Sequence, residues 1–132
     1  MDIRKLALTP TAVLHLRDAN DDLIYTDTKQ EKPVRIHMYG PGTKQFAAAE
    51  ARNSRLIMES LARRGKKIDQ ADLRVDFLVS ITERFENIEY DKLEGEALHR
   101  AVYGDTTLRF IADQVYAFVH EAGNFTNGSP VN

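Results

Sequence analysis

His15, His37, His99 and His120 are the side chains of this chain best suited to ligate a metal or move a proton near neutral pH. Their spacing argues against both uses. None stands in an HExxH motif or has a second histidine at i+4, the arrangement that turns two imidazoles toward one zinc ion on a helix. Cysteine is absent from the chain. That removes a disulfide framework, a thiolate metal site and a cysteine nucleophile together. His15 and His37 are expected to be neighbours across a sheet and to serve packing there.

Carboxylate pairs are the next candidates. Asp72 with Asp76, and Glu83 with Glu86, are spaced about one helical turn apart. Any solvated helix face shows such spacing, so it does not mark an acid and a base with tuned pKa values. Serine and threonine nucleophiles lack their GxSxG and SxxK settings. Gly40-Pro41-Gly42-Thr43-Lys44 invites a phosphate-loop reading, but the GxxxxGK spacing is missing and Pro41 has no N–H to offer a phosphate. A rigid strand-to-helix corner suits it better. The densest charge cluster is Arg63-Arg64-Gly65-Lys66-Lys67. Positive charge is favourable at a helix C-terminus through the macrodipole alone. Its one functional use would be to hold an acidic partner. No residue stands out as catalytic, cofactor-binding or metal-ligating, and the expectation is a protein that is not an enzyme.

The elements that position these residues follow from periodicity. Residues 12–17 read as a strand, Leu23-Ile24-Tyr25 as a short return strand, and Asn20-Asp21-Asp22 between them as a turn that tolerates positive φ. Val34, Ile36 and Met38 alternate with Arg35, His37 and Tyr39, the pattern of a half-buried strand. These three pieces predict a small antiparallel sheet within 12–39. Thr43 is a natural cap for a helix over 44–64, with Phe46, Ala49, Asn53, Leu56, Ile57, Ser60 and Leu61 on its inner side. Asp69 caps a second helix over 70–87 with Leu73, Phe77, Leu78, Ile81 and Phe85 inward, and Tyr90 packs back after it. A short helix covers 94–103. Thr106 caps the last helix, whose stripe is Leu108, Ile111, Ala112, Val115, Phe118 and Val119. Gly123 is expected to end it in a left-handed conformation. The reading is a single α+β domain over 1–126, a small N-terminal antiparallel sheet followed by a helical body of about four helices within 43–122. Residues 127–132 have the composition of a flexible tail.

The totals agree with one domain: 132 residues, 42% hydrophobic, 29% charged, formal net charge −2. Near-neutral charge gives no electrostatic case for nucleic acid. No segment approaches the ~20 apolar residues that span a bilayer, and the first sixteen residues lack a secretory signal pattern. An intracellular, soluble chain is expected.

Read together, several spaced features resemble the tail assembly chaperone family of long-tailed bacteriophages and prophages. They are Tyr39-Gly40 before a helix, the step from Phe85 to Asp91, Ala101-Val102-Tyr103, Ile111 with Gln114-Val115, and Asn124-Phe125. The likeness runs from about Ala12 to Phe125 and rests on apolar and turn residues, with no catalytic motif in it. It implies a cytoplasmic protein of the bacterial host that binds the tape measure protein, keeps it soluble and promotes polymerisation of the major tail tube protein around it. It also implies absence from the mature virion, and allows homo-oligomers. The alternative is a structural tail protein, a completion or terminator subunit retained in the particle. Neither role needs a cofactor, nucleic acid or membrane. A tape measure exposes long helical stripes, and helix-in-groove docking would suit them. The surfaces expected to meet the partner are the helix over 44–64 and the exposed side of the last helix, Phe110, Tyr116 and Phe118, with Arg63, Arg64, Lys66 and Lys67.

Overall fold

The alternation at Val34, Ile36 and Met38 becomes the centre of a sheet: these side chains are 7%, 0% and 0% exposed. The computed structural model describes residues 1–63 and 69–126; Arg64, Lys66, Lys67 and the expected tail at 127–132 lie outside the described residues. Strand β2 (Arg35–Tyr39) is flanked by β1 (Thr11–His15) and β3 (Thr82–Glu86) in an antiparallel sheet of order β1-β2-β3. The register pairs Ala12 with Met38, Leu14 with Ile36, Ile36 with Phe85 and Met38 with Thr82. One face of the sheet therefore carries all six of these residues, and they join the hydrophobic core or pack against it.

The third strand is not the one expected. Leu23 and Tyr25 make only isolated bridges, to Arg17 and Pro33. Instead the end of the presumed 70–87 helix leaves the helical path. Helix α2 (Gln70–Ile81) stops at Ile81, and the next five residues pair with β2. Thr82 marks the switch: its hydroxyl donates to the Leu78 carbonyl at 2.7 Å, satisfying a group that the helix end leaves open. The ladder slips between His37 and Met38, so Glu83 is an extra residue on β3. That bulge breaks period two and hides the strand from a pattern search. The apolar pair Ile81 and Phe85, four residues apart, imitates a helix.

Helix α1 (Lys44–Ala62) begins where Thr43 accepts from the Phe46 N–H at 3.2 Å, and α2 where Asp69 accepts from the Ala71 N–H at 2.9 Å. Both caps are as expected. Helices α3 (Gly95–Gly104) and α4 (Arg109–Val119) follow. The last helix is capped differently from expectation. Asp105 takes the Thr107 N–H and hydroxyl at 2.9 and 2.6 Å, and Thr106 opens a 3-10 turn that precedes α4. A carboxylate one residue earlier is the stronger acceptor. Gly123 has no left-handed φ. Helix α4 ends four residues before it, where Asn124 Nδ2 donates to the Phe118 carbonyl at 2.9 Å and a 3-10 turn, Ala122–Phe125, folds Phe125 inward. The predicted stripe otherwise holds, with Ile111, Ala112, Val115 and Val119 buried. Asp21 has φ +67, in the turn expected to tolerate it.

Among the described residues three strands and four helices make an α+β fold, and the segments around Thr9 and Phe125 meet. Phe125 is fully buried, and its carbonyl accepts from the Thr9 N–H at 2.6 Å. The Gln114 side chain clamps the end of β1: its carbonyl accepts from the Arg17 N–H at 2.8 Å and its amide donates to the Arg17 carbonyl at 2.6 Å. Among the described residues no helix is long and apolar enough to cross a membrane.

Candidate functional site: a groove between three helices

Helix α1 meets α2 through residues of its first half. Phe46 meets Phe77 edge-on at 5.7 Å, and Arg52 Nε lies 2.8 Å from Asp76 Oδ2. Beyond that point Asn53 and Leu56 are half-buried and Ser54 is exposed. Only Phe46 and Ala49 are buried on this helix, and Ile57 and Leu61, expected inward, are 40% and 78% exposed. The expectation fails because apolar spacing states which residues share a face, not whether a neighbour is there to cover it.

Helix α4 lies on the other side of α2. Arg74 Nη2 is 2.6 Å from Asp113 Oδ1, and the same guanidinium sits 5.0 Å over the Tyr116 ring. Phe77 also meets Tyr116 at 6.5 Å and stacks on His120 at 5.8 Å. Between the three helices is an open groove of about 920 Å³. Leu73 and Phe77, each 6% exposed, are at its base, while Ile57 and Tyr116 stand partly exposed along it.

The polar lining is unbalanced. It holds five carboxylates, Glu50, Asp69, Asp72, Asp105 and Asp113, against Arg74 and Arg109. Arg74 and Asp113 offset one another. Asp105 stays ionised, since the Thr107 hydroxyl and N–H and then the Tyr90 hydroxyl hold its carboxyl below the usual range.

Of the residues expected to meet a partner, Tyr116 lines the groove. Phe110 and Phe118 are half-buried against the core and are not part of its lining; Phe118 lies edge-on to Phe125 at 5.9 Å. Arg63 is exposed at the end of α1. Arg64, Lys66 and Lys67 fall outside the described residues.

The histidines are dispersed. His15 Nε2 is 2.8 Å from the Ile24 carbonyl and meets Tyr25 edge-on. His37 shares the outer sheet face with it, one register step away, and sits 3.5 Å from Glu86. His99 packs on Phe85 at 4.3 Å, and burial pushes its imidazole below the ordinary value. His120 Nδ1 is 2.7 Å from the Tyr116 carbonyl. Among the described residues no three histidines or carboxylates are grouped to hold a metal ion.

Two polar contacts escape the pattern reading because each joins distant segments. Arg35 Nε lies 2.7 Å from Glu86 Oε2, but its N–H does not point at the oxygen, so the contact is an ion pair rather than a hydrogen bond. Thr82 and Tyr103 hydroxyls meet at 2.6 Å in the core. The groove itself is composite, drawn from α1, α2, α4 and the end of α3 with no local motif. Comparison with protein-family models, with curated proteins and with solved structures finds no match to this chain.

Proposed function

We propose that this protein is a tail assembly chaperone of the long-tailed phage and prophage kind, and that it holds helical segments of the tape measure protein in the groove between α1, α2 and α4. The observation that carries the reading is the pairing of buried Leu73 and Phe77 at the base with partly exposed Ile57 and Tyr116 beside them. An amphipathic helix presents apolar anchors at i, i+3, i+4 and i+7, which suits a groove of this composition. Met58, 67% exposed, and Leu61 extend apolar surface past the groove along α1. Such surface on a small domain is a mark of an interaction site.

On this reading the client is kept soluble in the host cytoplasm until the major tail tube protein encloses it. The chaperone then leaves, acts without a cofactor and catalyses no covalent chemistry. Self-association through the same exposed apolar surface is part of the proposal.

Co-expression with a phage tape measure protein tests the reading, followed by mass spectrometry of particles purified from cells that express this chain. The expected result is a soluble complex in the lysate and no copies of this chain in finished tails. Stoichiometric copies in the particle would favour a structural tail subunit instead.

A further inference from the structure

We infer that the groove selects its client by charge, taking an amphipathic helix whose apolar stripe is bordered by lysine or arginine. The inference rests on the chaperone reading and specifies the client chemistry for the same groove. Apolar contact alone would accept any such stripe, because hydrophobic burial has no direction. The groove polarity supplies the discrimination. Among the described lining residues, after Arg74 and Asp113 are paired, Glu50, Asp69, Asp72 and Asp105 face only Arg109.

Two of these carboxylates are committed to local structure: Asp69 caps α2, and Asp105 accepts from Thr107 and Tyr90. Glu50 and Asp72 are exposed and have neither an ion pair nor a hydrogen bond among the described residues. Glu50 stands two helical turns before Ile57, on the same face of α1, and Asp72 precedes the buried Leu73 on α2. Each carboxylate thus borders an apolar contact position. A helix seated there brings its own flanking residues to these two oxyanion sites. Lysine or arginine gains an ion pair, and glutamate or aspartate meets like charge, which disfavours the wrong partner. Such pairs at a groove edge act mainly on selectivity and weaken as salt screens them.

Two synthetic peptides of about 18 residues, long enough to hold a helix in isolation, test this. One has a leucine stripe flanked by lysine, the other the same stripe flanked by glutamate, and each is titrated against the full chain at low and high salt. The lysine peptide is expected to bind at least about tenfold tighter at low salt, with the ratio shrinking in high salt. The double variant Glu50→Lys, Asp72→Lys should lower that ratio at least about threefold. Ile57→Asp should weaken both peptides. Equal binding of the two peptides, still weakened by Ile57→Asp, would overturn the charge inference and leave the groove reading standing. Failure of either peptide to respond to Ile57→Asp would overturn both. A circular-dichroism melt of each variant, with a transition like the parent, ties any change to the groove. If the double variant melts early, Glu50→Gln with Asp72→Asn takes its place, and an unchanged ratio there overturns the inference equally.

Discussion

A Cβ added to Gly40 would lie 2.4 Å from Cδ2 of the Phe125 ring. The glycine at the end of β2 is thus the wall against which the C-terminal aromatic closes. Its N–H donates to the Pro10 carbonyl at 2.8 Å, so the corner is held from the N-terminal side as well. Two of the features behind the resemblance to tail assembly chaperones, Tyr39-Gly40 and Asn124-Phe125, meet here although 85 positions separate Gly40 from Phe125. Close approach of a ring, rather than an unusual φ, is what demands glycine.

Gly40→Ala should therefore destabilise the fold by about 1–3 kcal/mol through overpacking. Phe125→Ala should cost about 3–5 kcal/mol, since the ring is fully buried. Combined with Phe125→Leu, Gly40→Ala should cost less than it does alone. A double-mutant cycle in urea measures this coupling, and additive effects would contradict direct contact.

The Thr82 hydroxyl has one hydrogen, and it is directed to the Leu78 carbonyl at 2.7 Å. Tyr103 is then the donor in the 2.6 Å contact between the two hydroxyls. Tyr103→Phe removes a donor and leaves Thr82 bonded, a loss of about 1 kcal/mol. Thr82→Val strands the buried Tyr103 hydroxyl and should cost more, up to about 3 kcal/mol. Equal effects in chemical denaturation would contradict the assignment. Burial already holds the Tyr103 phenol well above its usual range.

Gln114 joins α4 to β1 with two bonds to the Arg17 backbone. Gln114→Leu leaves that N–H and C=O without their partner and should cost about 1–3 kcal/mol. Amide exchange at Arg17 is the local reporter: protection should fall there more than at Val115.

His99 gives a pH signature. Burial lowers its folded pKa below about 6.5, the ordinary imidazole value, with Glu96 opposing weakly. Above that pH both folded and unfolded forms are neutral, and the contribution to stability is complete. As pH falls from about 6.5 through the folded pKa, the unfolded state takes up a proton first, so stability declines. Urea midpoints should drop between pH 7 and 5 in the parent, and His99→Phe should flatten that slope. An unchanged slope in the variant would contradict the burial account.

Local rules made most elements legible. Thr43 and Asp69 cap where their side chains predict, and Val34, Ile36 and Met38 point inward as their alternation requires. Longer-range facts were hidden. Strand β3 has its periodicity interrupted by the bulge at Glu83, and its pairing partner lies more than forty residues away. Ile57 and Leu61 have core-like spacing, yet among the described residues they stay 40% and 78% exposed. The groove was legible through Tyr116 and the helix over 44–64, while Leu73 and Phe77 look like any core residues until α1 and α4 are placed on either side of them.

The groove is proposed to hold a tape measure helix. Titrating a labelled helical segment of a phage tape measure protein with the parent chain, Ile57→Asp and Tyr116→Ala tests this. Saturable binding by the parent is expected, with each variant at least about tenfold weaker while retaining a cooperative thermal transition. Equal affinity for all three chains would contradict it.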